Sequence, residues 1–264
     1  MSTEPDAAGA TGEGTVGYGP DDGVLVIENL TKRFGGLTAV DDLSFAVRER
    51  EILGFIGPNG AGKSTTFNCV TGRYPPTSGT VWYRGEDVTG ESAHEMVNSG
   101  LARTFQEFRP LHDRTVVENV AIGLVPDRLF SLAGLRGETG QRAASICRRV
   151  GLGDRLELTP DELPHAGLLR LELGRALATD PDMLLVDEPF AGLSGPEVES
   201  VSGLLRELRD EGLTLAVVDH NMRGLLSLID RAVVINFGAK IAEGAPEEIR
   251  QDPEVQRAYL GGDL

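Results

Sequence analysis

The chain has little with which to cross-link itself, hold a metal through sulfur or grip a long polyanion. Cys69 and Cys147 are its only cysteines. They lie far apart and in no CxxC or Cys/His spacing, which argues against a disulfide framework and a zinc site and points to a cytosolic protein. Lysine is scarce too, with only Lys32, Lys63 and Lys240 in 264 residues. Acidic residues outnumber basic ones 41 to 25, for a net charge of -16. That balance opposes binding to a phosphate backbone, which needs clustered Lys and Arg, so no nucleic-acid partner is expected. No apolar run approaches the roughly 18 residues needed to cross a bilayer. The N-terminus is acidic, with no hydrophobic segment behind it, unlike a secretory leader. Membrane contact is therefore expected only through partners.

What is present is apolar material enough for a core, at 40% of residues. Its distribution divides the chain. Residues 1–22, MSTEPDAAGATGEGTVGYGPDD, hold too few bulky apolar groups to offset the entropy of ordering. They are expected to form a mobile tail before a single folded domain at 23–264. Within that domain EILGFIG (51–57), MLLVDEP (183–189) and LTLAVVDH (213–220) are apolar on consecutive residues, which predicts strands covered on both faces in a parallel sheet. Helical patterns over 63–70, 196–210 and 221–229 alternate with them, the mark of an α/β fold. VLVIENLTKRF and TAVDDLSFAV alternate nearly with period two, and TVWYRGEDV reads as a hairpin edge, so an antiparallel sheet should flank the parallel one. Residues 107 to about 177 differ, with helical patterns joined by Gly- and Pro-containing turns. They predict a helical insertion into the α/β core.

The chemistry is concentrated at strand ends. Residues 57–64 read GPNGAGKS, which fits GxxxxGK[ST], directly after a buried strand and opening a helix. Gly57, Gly60 and Gly62 let the backbone curl so that successive N–H groups face phosphate oxygens, and the helix N-terminus adds its positive end. Pro58, Asn59, Ala61 and Thr65 complete the candidate nucleotide-binding stretch. Lys63 would bridge the β- and γ-phosphates of a nucleotide, and Ser64 would offer a hydroxyl to Mg2+. MLLVDEP puts Asp187 and Glu188 at a strand exit, where open α/β sheets bind ligands. Asp187 suits Mg2+, held through water, and Glu188 could polarise a water for in-line attack on the γ-phosphate. His220, closing LTLAVVDH, would project from the same edge toward that phosphate. Gln106 in LARTFQ closes a fourth apolar run, and its amide could reach the metal or the attacking water; it could equally be a plain strand terminus.

GPNGAGKS, TFQ, MLLVDEP and VVDH, in that order over nearly all of residues 24–260, resemble the ATP-binding subunit of an ABC transporter. KRFGGLTAV, RTFQEFRPL, TVVENVAIG and EGAPEEIRQDPEVQRAYLG are similar to the branched-chain amino acid importer ATPases. Lipopolysaccharide-export relatives share the C-terminal wording and DEPFAG, but RTFQ followed by RPL fits the amino acid group better. The resemblance implies a P-loop NTPase (RecA-like) core with an antiparallel β subdomain and an inserted α-helical subdomain, using ATP and Mg2+. It assigns Phe34 to stacking on adenine, although an aromatic there could also be a core residue. It makes Gln106 the start of a loop that senses the membrane subunits. The implied partners are a second ATPase subunit, two transmembrane permease subunits and, indirectly, an extracytoplasmic substrate-binding protein. The chain would then sit peripherally at the cytoplasmic face of the cell membrane. The alternatives are urea, amide or lipopolysaccharide systems of the same kind, an ABC ATPase outside transport, and a regulatory subunit that turns ATP over poorly.

One motif departs from this pattern. Leu163-Pro164-His165-Ala166-Gly167-Leu168-Leu169 aligns with the family signature Leu-Ser-Gly-Gly-Gln, in the amino acid importers often Leu-Pro-Tyr-Gly-Gln-Gln-Arg, which faces the ATP of the opposite subunit. Ala166 adds a methyl where backbone must approach phosphate, and Gly167 lacks an amide side chain. Leu168 and Leu169 replace polar residues near the expected interface. Ser194 stands where relatives carry Asp or Asn after AGL. An asymmetric heterodimer is expected, with a homodimer as the alternative. In the heterodimer this chain's own site stays competent and its partner's is weakened. Read without the resemblance, the stretch is only a helix N-terminus with Pro164 near its first turn.

Overall fold

A computed structural model of the chain describes residues 18–104, 109–124 and 137–259. The strands, in chain order, are β1 (Leu25–Phe34), β2 (Leu37–Val47), β3 (Ile52–Ile56), β4 (Ser78–Tyr83), β5 (Glu86–Asp87), β6 (Leu101–Arg103), β7 (Met183–Asp187), β8 (Thr214–Val218), β9 (Arg231–Asn236) and β10 (Ala239–Gly244). The helices are α1 (Lys63–Val70), α2 (Ala93–Asn98), α3 (Val116–Ile122), α4 (Glu138–Arg149), α5 (His165–Leu177), α6 (Gly195–Asp210), α7 (Met222–Leu228), α8 (Pro246–Gln251) and α9 (Pro253–Ala258).

The three apolar runs form neighbouring strands of a six-stranded sheet ordered β10-β9-β3-β8-β7-β6. All its pairings are parallel except that of β10 at the edge. Period-two alternation splits each strand between two cores. Ile52, Ile56, Leu184, Val186, Leu215 and Val217 join a cluster with α3 to α7, while Leu53, Phe55, Met183, Leu185, Ala216 and Val218 join one with α1 and the antiparallel strands. That is why these runs are apolar throughout: each side chain is buried, whichever face it takes. The antiparallel sheet, ordered β2-β1-β4-β5, is fastened through a ladder of rings. Phe45 of β2 stacks on Phe55 of β3 at 5.2 Å, and Phe55 on Phe67 of α1 at 5.8 Å. Offset aromatic pairs add about 1 kcal/mol each beyond their buried area, and here they fix the helix that begins at Lys63.

The expected helical stretch contains α3, α4 and α5. Asn119 anchors it: 1% exposed, its amide donates to the carbonyls of Leu111, Arg114 and Thr115 and its oxygen accepts from Leu111 N–H. Tyr18 has partners on the fold: its hydroxyl donates to Glu243 at 2.7 Å and its ring lies 5.0 Å from the Lys240 ammonium.

Candidate active site

Strand order alone brings the expected groups together. β3, β8 and β7 are adjacent and parallel, so their carboxyl ends deliver residues 57–64, His220 and Asp187-Glu188 to one edge. The cleft there has a volume of about 560 Å³, within the range of small-molecule sites. Asn59, Gly60, Ala61, Gly62, Lys63, Ser64, Thr65, Glu188 and His220 line it, whereas Gly57 and Pro58 form the base of the loop beneath.

The loop's glycines are required by contact as well as by dihedral. Gly62 has φ 108°, and a Cβ there would stand 2.4 Å from the Ala39 carbonyl oxygen. A Cβ on Gly57 would meet the Ile235 carbonyl oxygen at 2.4 Å. Lys63 is 7% exposed and curls back over the loop, its ammonium donating to the carbonyls of Gly57 at 2.5 Å and Pro58 at 3.0 Å. Burial lowers its pKa, and the negative charges of Glu188 and Asp187 oppose that shift. The ammonium is thus held at the mouth of the phosphate cradle by neutral acceptors that a phosphate oxygen can displace.

Glu188 occupies the left-handed region at φ 51°, uncommon for a residue with a side chain. Its N–H donates to the Val218 carbonyl at 2.7 Å, which secures the turn to β8. The carboxylate, mostly buried, lies 3.0 Å from Nε2 of the half-exposed His220. Asp219, directly before His220, is 5% exposed and accepts from the N–H groups of Phe190 at 2.7 Å and Asn221 at 2.6 Å. Burial raises its pKa, and those two hydrogen bonds hold the shift back. Asp219 therefore ties the exit of β7 to that of β8 and sets the spacing of Glu188 and His220. Its sequence signal was its place directly before His220.

Asp187 has a partner that sequence reasoning missed. Arg103, at the end of β6, donates to its carboxylate at 2.7 Å and to Asn68 at 2.8 Å, with both charged side chains about 10% exposed. A hydroxyl from Ser64 and a carboxylate from Asp187 are hard oxygen donors, the kind Mg2+ takes from a protein while phosphate and water fill its other positions. The residues fit that ion. Gln106 lies outside the described residues.

Phe34 is 43% exposed at the end of β1, with Tyr74 edge-on at 5.4 Å and the Lys32 ammonium 4.9 Å from its ring. It is not a core residue, and it does not line the cleft; Leu37, Thr38, Ala39 and Phe237 do.

Residues 163–169 run into α5, with Pro164 at its cap and His165 as its first residue. Nε2 of His165 lies 2.9 Å from the Ala191 carbonyl, joining this helix start to the segment after Glu188. The interface expected of Leu168 and Leu169 is corrected here for Leu169. Leu169 is 3% exposed inside the core on the inward face of α5, whereas Leu168 is only part-buried at the edge of the same cluster. The exposed or part-exposed residues of this stretch are Pro164, His165, Ala166 and Leu168. Ser194 precedes α6 as its cap, with its N–H and hydroxyl both donating to Glu197; Asp and Asn are also favoured at such a position, although an Asp carboxylate could not make the hydroxyl's bond to Glu197.

Comparison with known proteins accords with this geometry. Residues 40–191 match the ABC transporter family, and residues 239–264 match the branched-chain amino acid ATP-binding cassette transporter family. The chain is 39% identical to the high-affinity branched-chain amino acid transport ATP-binding protein LivG of Salmonella typhimurium, over 90% of this chain and 98% of that protein. It is 38% identical to BraF of Pseudomonas aeruginosa over the same shares. Among solved structures, an ATP-binding cassette of an ABC transporter in its ADP conformation superposes with a TM-score of 0.83 at 32% identity, over 90% of this chain and 98% of the other. A dimeric cassette in a post-hydrolysis state bound to ADP and Pi gives 0.72 at 25% identity, over 84% and 98%. The chain belongs to the ABC transporter ATPases, in the group of branched-chain amino acid ATP-binding cassettes.

Proposed function

We propose that this chain hydrolyses ATP to power import of branched-chain amino acids through a pair of membrane-spanning permease subunits, from the cytoplasmic face of the membrane. The observation that carries the reading is the convergence of Lys63, Asp187, Glu188 and His220 on one sheet edge, together with the C-terminal segment shared with the branched-chain group. No helix among the described residues is long and apolar enough to cross a membrane, so coupling to transport runs through partners.

ATP enters with its triphosphate along residues 57–65, and Lys63 exchanges the carbonyls of Gly57 and Pro58 for β- and γ-phosphate oxygens. Glu188 accepts a hydrogen bond from the attacking water and aligns it with the γ-phosphorus; His220 holds that carboxylate in place and reaches the γ-phosphate. Ser64 and Asp187 would hold Mg2+, which would neutralise charge on the phosphates; Gln106 is proposed from its motif alone as a further polar contact to the metal or the attacking water. As ATP arrives, Arg103 keeps the Asp187 carboxylate oriented. Phe34, which lies outside the cleft lining, is proposed from the family resemblance to meet the adenine where it leaves the cleft.

Hydrolysis needs a second ATPase subunit, whose signature loop closes on this chain's nucleotide while residues 163–167 close on its own. Ala166 and Gly167 weaken that second site, which favours a heterodimer with an intact partner loop. Donors lost from a developing phosphate charge cost on the order of 10² to 10³ in turnover, if they act as oxyanion-hole donors do. The test is uptake of labelled leucine by cells lacking this chain: uptake should fall and return with the intact gene, and undiminished uptake would refute the assignment. Copurification should recover two permease subunits and a second ATPase.

A further inference from the structure

The β9–β10 hairpin turns through Phe237 and Gly238, with Asn236 paired to Ala239. Both turn residues have positive φ, 47° and 87°, the two-residue geometry for which Asn-Gly is the favoured sequence. A phenylalanine at the first of these positions is strained, since its Cβ crowds the backbone. The ring is also 87% exposed, the most exposed large apolar side chain among the described residues, and makes no ring stack or cation contact among them. Two separate costs, backbone strain and a solvated aromatic, bring the isolated chain no return. Strain of this kind collects where a ligand is met.

The position of the turn says which ligand. The Gly238 N–H donates to the Ala61 carbonyl at 2.9 Å and its own carbonyl accepts from Asp41 at 2.9 Å, so Phe237 is bolted to the phosphate loop. Phe237 lines the ATP cleft with Leu37, Thr38 and Ala39. β9 flanks β3 on the side away from β8 and β7, which carry the catalytic residues. A triphosphate aimed at Glu188 and His220 therefore leaves its nucleoside toward Leu37 and Phe237. Phe34, by contrast, already has Tyr74 and Lys32 against its ring.

We propose that Phe237 is a nucleoside-binding residue, a second aromatic that packs on the base or ribose of ATP from the side opposite the catalytic residues. This rests on the reading of the cleft as an ATP site. Its test is calorimetric binding of MgATP and of magnesium tripolyphosphate, which has no nucleoside, to the full chain. Phe237→Asn removes the ring and supplies the residue the turn favours, so its thermal midpoint should equal or exceed that of the wild type. Its MgATP affinity should drop roughly tenfold, the usual loss on removing an aromatic stacked on a base, with tripolyphosphate affinity unchanged. Phe237→Trp should restore MgATP affinity. Unchanged MgATP binding in Phe237→Asn would overturn the proposal, and so would equal loss of both ligands, which would make the turn a support for the loop. Loss of subunit association at unchanged MgATP affinity would also overturn it. A wild-type chain that binds neither ligand would instead refute the ATP site itself.

Discussion

The sheet edge at residues 57–64, 187–188 and 220 and the helix start at 163–167 both offer backbone N–H groups to an anion, but they are finished to different degrees. The first has a buried ammonium, two carboxylates and a histidine, each held by named partners. The second has a proline, a methyl group and a glycine. If the helix start serves a second subunit's nucleotide, as proposed above, the two sites can diverge separately, because different molecules' phosphates would occupy them.

The sharpest way to break this comparison is at Lys63. Lys63→Ala should abolish measurable ATP turnover at this chain's site, a loss of about 10² or more of the kind that follows removal of a group aimed at developing charge. Binding by calorimetry should weaken in parallel, and full turnover would remove the contrast altogether. Next comes a change that looks like restoration and is not. Leu169→Arg supplies the residue of the importer wording, yet it drives a charge into the α3–α5 core, so unfolding stability should fall by about 3 kcal/mol, read from denaturant melts. Ala166→Gly tests the lent site directly. Turnover of the assembled complex should rise, on the order of tenfold, a part of what one such donor can supply. Gly167→Gln added to it should help less, because a Cβ there meets Leu163 and Pro164 at 3.2 Å. The smallest effect concerns the Tyr18 anchor, remote from both sites. Burial pushes the Glu243 carboxyl up, but hydrogen bonds from Lys240 and Tyr18, with the charges of Lys240 and Arg231, outweigh it and leave the pKa lowered. Its contribution is complete above the ordinary carboxylate range and is lost as pH falls through the lowered value. The protection of amides near Tyr18, measured relative to intrinsic exchange at each pH, should therefore fall as pH drops below the ordinary carboxylate range, and Glu243→Gln should remove that step.

Much of the first site was legible because each of its parts follows a run of consecutive apolar residues, and strand ends in a parallel sheet share an edge. GPNGAGKS, Asp187-Glu188 and His220 needed no further information. Arg103 did: its partner lies 84 residues away, and only the pairing of β6 with β7 joins them. The inward facing of Leu169 was hidden for a related reason. An apolar pair at a helix start reads alike toward a partner or toward a core, and the packing of α3 and α4 decides. Phe237 carries no motif; its strain and exposure exist only once the hairpin is closed. Tyr18 was hidden by composition, one aromatic in a polar stretch whose seat is formed more than 200 residues later.

Glu188 gives the most direct test, since it is the group expected to separate holding ATP from cleaving it. In the assembled complex, Glu188→Gln should bind MgATP with wild-type affinity while single-turnover hydrolysis at this chain's site falls at least about a hundredfold. Hydrolysis at the wild-type rate would contradict the account.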